Sequence, residues 1–397
     1  MANALPLAGI RVLDLGMLYA APFAAMLLGD YGADVIKVEQ PSGDPLRRLG
    51  ERRGETELWW KVLARNKRCV SLDLSTDRGR ELLLGLAATA DVVVENFRPG
   101  TLERWQLGYE QLAAANPGLV LVRLSGFGQR GPFAQRAAFG TQAECLSGWV
   151  YATGEPDGPP ILPPFGLADP LAGMMAAYAA MVALHERATS GLGQVVDTTL
   201  VEPMLMLTGP AITYYDQLGT LAERVGNRSR QSAPRNIYKC RDGHWIAIST
   251  SAQSVAERVI KLVGRADLLD EPWFAAARTR VAHADLLDEA VGGWIARHDL
   301  AEVADAFQAA GASASPINGI PEVLSSPEYA ALDAIVEVPD EQLGAVRMQN
   351  VAFRMSRSAG AVRHAGRPVG ADNEQVYAEL LGLPPEEISL LRDAHVI

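Results

Sequence analysis

An aspartate, Asp169, stands in the run Phe165-Gly166-Leu167-Ala168-Asp169-Pro170, directly ahead of a long alanine- and methionine-rich segment. Taken alone it reads as a helix cap, because Asp is a favoured N-cap and Pro is favoured at the first helical position. A second set of chemistry-bearing residues lies between Lys37 and Arg68. Nine bases (Lys37, Arg47, Arg48, Arg52, Arg53, Lys61, Arg65, Lys67 and Arg68) outnumber five acids (Glu39, Asp44, Glu51, Glu55 and Glu57) in a chain of net charge −11. A local positive excess on an acidic protein would steer a polyanionic ligand to one place. The plainer alternative is a solvated run of surface charges.

Other chemistries are excluded by what the chain lacks. Glu39 ends a strand-like run about where an acid would bind a ribose hydroxyl, yet the turn Gly16-Met17-Leu18-Tyr19-Ala20-Ala21-Pro22 holds no GxGxxG. Without those glycines the backbone cannot approach a pyrophosphate closely, and no GxxxxGK[ST] loop replaces it. Cys69, Cys145 and Cys240 form no disulfide or metal pattern and read as small buried apolar residues, which fits a reducing cytoplasm. None of the six histidines has metal-ligand spacing, so no metal is expected. The net charge argues against nucleic acid as a partner. Met1-Ala2-Asn3-Ala4-Leu5-Pro6 lacks a basic start and a long apolar stretch, so no signal peptide is expected. The most apolar window, Leu171 to Leu184, is too short and alanine-rich to span a bilayer and reads as a buried helix.

These residues must be positioned by elements that the pattern partly reveals. With 397 residues, 48% of them hydrophobic, a sizeable core and two or three domains are expected. Strands are expected at Ile10–Leu15, Ala33–Glu39, Val70–Leu74, Asp91–Glu95 and Leu119–Leu124, with helices near Pro22–Tyr31, Asp77–Thr89 and Tyr109–Asn116. That alternation predicts an α/β fold with a parallel, doubly wound, Rossmann-like sheet. The helix beginning at Pro170 should run to about His185 and stop near Gly191. Beyond Gly226 the texture changes: Tyr238–Ile248 reads as a hairpin turning at Asp242-Gly243, and helices follow to about Ala310. The expected organisation is a first part over 1–200, a linker over 201–225, a smaller α+β domain over 226–325 and a final part over 326–397, with strand-like Ala334–Val338 and a terminal helix.

Several segments, in this order, resemble the class III CoA-transferases (CaiB/BaiF, formyl-CoA transferase-like). They are Leu28–Glu39, Asn66-Lys67-Arg68, Leu72-Asp73-Leu74, Val94–Gly100, Gly166–Asp169, Gly191–Gln194 and Pro316-Ile317-Asn318, and they cover roughly residues 8–370. The resemblance implies a large domain built from both chain ends with the small domain inserted, and an interlocked homodimer. It implies an acyl-CoA and a carboxylic acid, dicarboxylic acids included, as partners, with coenzyme A a substrate rather than a permanently bound cofactor. Leu18, Tyr19 and Ala20 would line the CoA entrance. Leu72, Asn96, Phe97 and Arg104 would contact the nucleotide and pantetheine arm.

In that family the Asp at the position of Asp169 is the covalent nucleophile, forming an aspartyl–acyl anhydride and then an aspartyl–CoA thioester. On this reading the helix dipole would hold Asp169 ionised. Two departures stand out. Ser249-Thr250-Ser251-Ala252-Gln253 replaces the glycine-rich lid of formyl- and oxalyl-handling members, and Tyr19 replaces a small amide residue. The same fold hosts α-methylacyl-CoA racemases, which need a second acid/base group. Arg136–Gln142 contains no His, Asp or Glu, which favours transfer; Glu144, the nearest substitute, is expected to form a polar pair near the site mouth. A non-catalytic acyl-CoA-binding protein is the third reading.

Overall fold

The computed structural model describes residues 5–397. Six strands form one sheet: β1 (Arg11–Asp14), β2 (Asp34–Glu39), β3 (Lys67–Ser71), β4 (Val92–Glu95), β5 (Val120–Ser125) and β6 (Val195–Thr199). Their order is β3-β2-β1-β4-β5-β6 and every pairing is parallel. Parallel strands covered on both faces read as continuous apolar runs, and Val12-Leu13 and Val92-Val93-Val94 are of that kind, with every residue essentially unexposed.

Each face has its own core. On one, Leu13, Ile36, Val70, Val93 and Leu121 meet Leu82, Leu83 and Leu86 of a helix spanning Asp77–Ala87. The same face is closed by helices from the far end of the chain, Asn373–Leu381 and Pro385–Asp393, through Val376, Tyr377, Ile388 and Leu391. The other face packs on α1 (Ala20–Asp30) and on a 23-residue helix, α2 (Ala168–Ser190). Alanines make that contact close: Ala20, Ala21, Ala24 and Ala25 oppose Ala172, Ala176 and Ala180. At Gly173 a Cβ would lie 2.6 Å from the Ala20 carbonyl, so only glycine fits. The second helix ends at Gly191 in the left-handed conformation that glycine adopts without strain.

The chain divides into two compact units. One comprises the residues up to Trp149, Pro163–Ile212 and Pro327–Ile397; the other, Val150–Leu162 and Thr213–Ser326. The α/β unit is therefore assembled from both chain ends, as the resemblance implied. In the second unit β7 (Arg235–Lys239), β8 (Trp245–Ser249) and β9 (Ser313–Pro316) form an antiparallel sheet in the order β9-β8-β7. Its inner face, with Tyr238, Ile246 and Ile248, packs on Val259, Ile260, Leu287 and Val291 of two helices.

The basic run between Lys37 and Arg68 is internal wiring rather than a patch open to solvent. Lys67 bonds Asp14 at 2.8 Å, Lys37 bonds Asp44 at 3.1 Å, Arg47 bonds Glu39 at 2.7 Å and Lys61 bonds Asp340 at 2.7 Å. Arg65 pairs with Asp30 at 2.5 Å, Arg68 with Asp34 at 2.5 Å and Arg52 with Glu57 at 2.7 Å. Burial makes the pairing of Lys37, Arg47, Lys61, Arg65 and Lys67 obligatory, since an unpaired buried charge costs several kcal/mol. Arg48, Arg52 and Arg53 are exposed. Among the cysteines, Cys69 and Cys240 are buried but Cys145 is exposed, contrary to the sequence expectation. The reason is local: Cys145 sits on the outer side of a short helix whose buried residues are Gly140, Ala143 and Glu144.

Candidate active site

Because the strands are parallel, the loops after β1, β4 and β5 emerge at one edge of the sheet. Strand order reverses between β1 and β4, which is where open α/β sheets place their ligands. There a cavity of about 750 Å³ opens, lined by Met17–Ala20 after β1, Asn96–Pro99 after β4 and Leu124–Gly126 at the end of β5. Residues 136–139, Gly166 and Asp169 complete it.

The loop after β1 is held from below. The Asp14 carboxylate accepts from the Gly16 amide at 3.0 Å and from Lys67 at 2.8 Å. Asp44 accepts from the Leu18 amide at 3.1 Å, and Leu18 takes a left-handed conformation, φ +61°. From the side, Asn96 donates to the Met17 carbonyl and accepts from its amide, both at 2.7 Å. Asn96 thus pins the loop with both ends of its side chain. Tyr19 packs edge-on against Phe23 and Trp59, with centroids 5.6 and 5.1 Å away. Burial, and then the negative charge of Asp169, hold its phenol above its ordinary pKa, so it stays a neutral donor.

Asp169 occupies this cavity differently from the sequence expectation. The helix begins at Ala168, so Asp169 is its second residue and not its cap; no side chain at Leu167 caps it either. The cap comes from elsewhere in the chain: Glu144, 3% exposed, accepts from the amides of Leu167 at 2.9 Å and Ala168 at 3.2 Å. The helix end therefore does not hold Asp169 below the usual carboxylate range. Burial, then the charge of Glu144, push its carboxyl up from 3.8 to about 6, against the Gly140 amide, which lowers it. Gly140 clears the space around the carboxylate. A Cβ on Gly140 would meet Asp169 Oδ2 at 2.4 Å, and one on Gly166 would stand 3.8 Å from it.

Of the residues singled out from the sequence, Leu18, Tyr19, Ala20, Asn96, Phe97 and Asp169 share this cavity. Leu72 lines a separate, smaller one of about 140 Å³, with Leu74, Trp105 and Arg48; Phe97 borders both. Arg104 lines neither and is exposed, donating to Thr101 at 2.9 Å. Arg98, also exposed, is the guanidinium at the larger cavity after β4. Sequence reasoning missed Gly140, Trp59 and the capping role of Glu144. Among the described residues no three His, Cys, Asp or Glu side chains converge as a metal site, and no helix is long and apolar enough to cross a membrane.

The chain belongs to CoA-transferase family III, whose profile matches residues 7–373, and it is an enzyme that transfers CoA. It is similar to the succinyl-CoA–D-citramalate CoA-transferase of Chloroflexus aurantiacus, 42% identical over 99% of this chain and 98% of that one. It is 30% identical to the succinate–glutarate CoA-transferase of Agrobacterium fabrum, over 94% and 96% of the two chains. A crystal structure of a CaiB/BaiF family protein from Brucella suis superposes with a TM-score of 0.85 at 30% identity, covering 95% of this chain and all of that one.

Proposed function

We propose that this enzyme moves CoA between dicarboxylic acids, with Asp169 as covalent nucleophile, and that it works as a homodimer in the cytoplasm. One observation supports this above others: a carboxylate poised near pH 6, in space that Gly140 leaves open, on the wall of a cavity of about 750 Å³.

Asp169 Oδ attacks the donor thioester carbonyl; the C–S bond breaks, CoA leaves as thiolate and a mixed anhydride remains. The thiolate then attacks the aspartyl carbonyl and the donor acid departs as carboxylate, leaving an aspartyl–CoA thioester. An acceptor carboxylate attacks that thioester, and the two steps run in reverse to release the new acyl-CoA and regenerate Asp169. No net proton or electron is exchanged. Splitting one acyl exchange into steps between reactive intermediates is what covalent catalysis contributes. The raised pKa helps, because a carboxylate of higher basicity is the better nucleophile while still ionised at neutral pH. Neutral Tyr19 would donate to a developing oxyanion. CoA would run over Leu18–Ala20, with its adenine beside Phe97 and Trp105 and its phosphates near Arg48 and Arg98. Arg104 gives one N–H to Thr101 and would keep the rest of its fork for phosphate.

The dicarboxylic assignment draws on relatives named for succinyl-CoA with citramalate or malate and for succinate with glutarate. Racemisation is disfavoured because Glu144, the acid nearest the Arg136–Gln142 run, already bonds two backbone amides. A dimer is supported by the outward side of the 23-residue helix, where Met174, Tyr178 and Val182 are about half exposed. The test is intact mass after incubation with succinyl-CoA. A CoA-sized adduct on the Asp169 peptide, cleaved by hydroxylamine and absent in Asp169→Asn, is the expected result. No adduct, with α-proton exchange of a 2-methylacyl-CoA, would move the enzyme to the racemase branch.

A further inference from the structure

Three charged side chains line the cavity of about 750 Å³: Asp169, Arg98 and Arg136. All three belong to the α/β unit, so they lie within one compact body. Among the described residues neither arginine has an acidic partner. Arg136 is nevertheless held. Its guanidinium lies 3.7 Å from the centroid of the Phe133 ring, and Phe133 packs edge-on against Phe127 with centroids 5.7 Å apart. Such a stack covers one face of the guanidinium plane and consumes none of the N–H groups, which point outward along its edges.

The loop that carries Arg136 is anchored along its length. Gln135 donates to the Pro99 carbonyl at 3.4 Å, and the Arg136 amide donates to the Phe133 carbonyl at 2.8 Å. At Ala138 the loop runs so close to the end of β5 that a Cβ on Gly126 would lie 2.2 Å from that of Ala138. Two residues further on, the Gly140 amide bonds the Asp169 carboxylate. Arg136 thus enters the cavity from the segment that meets Asp169, four residues away and at most about 14 Å along the chain. Arg98 instead follows Phe97, on the side assigned above to adenine and phosphate. A stacked guanidinium with a free edge matches a planar carboxylate taking two parallel N–H bonds. Ala137, Ala138 and Leu124 beside it are apolar, which suits the methylenes between two carboxyl groups.

We propose that Arg136, backed by Phe133, binds the non-reacting carboxylate of a dicarboxylic substrate and so sets the preference for two-headed acids. This rests on the dicarboxylate reading above and adds the group that would recognise it. Calorimetry on full-length Asp169→Asn, which lacks the proposed nucleophile, compares succinyl-CoA, butyryl-CoA and CoA. All three carry the same nucleotide, so the ratio of succinyl-CoA to butyryl-CoA affinity reads the acyl carboxylate alone. That ratio is expected to favour succinyl-CoA. Adding Arg136→Gln should lower it about 10- to 100-fold, the loss of a charge-assisted pair, with CoA binding unchanged. Arg136→Lys, which keeps the charge without the fork, should fall between, and so should Phe133→Leu, which removes the stack. Should Arg136→Gln lose its fold by circular dichroism, Arg136→Lys carries the test. A ratio near one in the parent, an unaltered ratio in the folded Arg136 variant, or a loss of CoA binding with the ratio kept would each overturn the assignment. The mass experiment is independent. An Asp169 adduct with an Arg136-insensitive ratio removes this site alone, whereas an Arg136-dependent ratio without an adduct removes the transferase mechanism alone.

Discussion

The Asp169 carboxylate is shaped by neighbours that are distant in sequence, and each gives a separable effect. Protonation in the folded state is favoured up to about pH 6, whereas the unfolded group titrates near 3.8. The folded chain therefore binds that proton more tightly, and the group's stabilising contribution, full below about pH 4, is lost as pH rises through 6. Asp169→Asn should consequently be more stable than wild type at pH 7.5, by about 1–3 kcal/mol in urea unfolding, with the gap closing as pH is lowered through 6. On the proposed mechanism only the ionised group attacks, so the rate of enzyme–CoA adduct formation should fall about tenfold per pH unit below that value. Glu144→Gln keeps an acceptor for the Leu167 and Ala168 amides but removes the charge, so the midpoint of this profile should move to lower pH; an unmoved midpoint would show that Glu144 acts only as a cap. Gly140→Ala places a methyl on Oδ2 and should slow adduct formation by about 100-fold, the cost of a misplacement near 1 Å. Asp169 was visible in the sequence through its Pro170 and its helix. The true cap was not, because Glu144 reaches the helix from 23 residues away and no local pattern encodes that.

At the scale of elements, legibility followed burial. The strands at Val12, Val35, Val92 and Val120 carry buried apolar residues on both faces and could be read directly. β6 escaped notice because it is an edge strand, exposed along half its length and interrupted by Asp197. β3 was expected at 70–74 but lies at Lys67–Ser71, since Lys67 and Arg68 look like surface residues until Asp14 and Asp34 neutralise them. The packing of α1 on α2 makes its own prediction. Gly173→Ala would press a methyl on the Ala20 carbonyl, costing about 1–3 kcal/mol as overpacking does, seen as a lower urea midpoint at unchanged slope. Gly191→Ala, with nothing within 4 Å, should cost only the strain of its positive φ.

For the whole molecule, two apolar cores sandwich one sheet, and the lid on one of them arrives from beyond residue 372. Removing residues 373–397 strips Val376, Tyr377, Ile388 and Leu391, about 1.5–3 kcal/mol each and about 6–12 kcal/mol together. That rivals the entire stability of an ordinary domain, so the shortened chain should be recovered only in the insoluble fraction; soluble protein that forms the adduct would contradict it. The fold class was legible from strand–helix alternation, and the joining of both chain ends only from resemblance, because periodicity says nothing about which distant segments meet.

The Asp73 amide is bonded to the Val396 carbonyl at 2.8 Å, and Tyr377 to the Ser71 carbonyl at 2.7 Å. A ribosome adds residues one at a time, so the strand made near residue 70 waits through some three hundred further additions before its partners exist. The second unit, whose residues are all present by Ser326, can settle while the sheet still shows an open apolar flank to water. Such a chain is exposed to aggregation during its own synthesis. Its yield in cells should therefore depend on how fast the last seventy residues are made and on the chaperones that shelter the nascent chain until then.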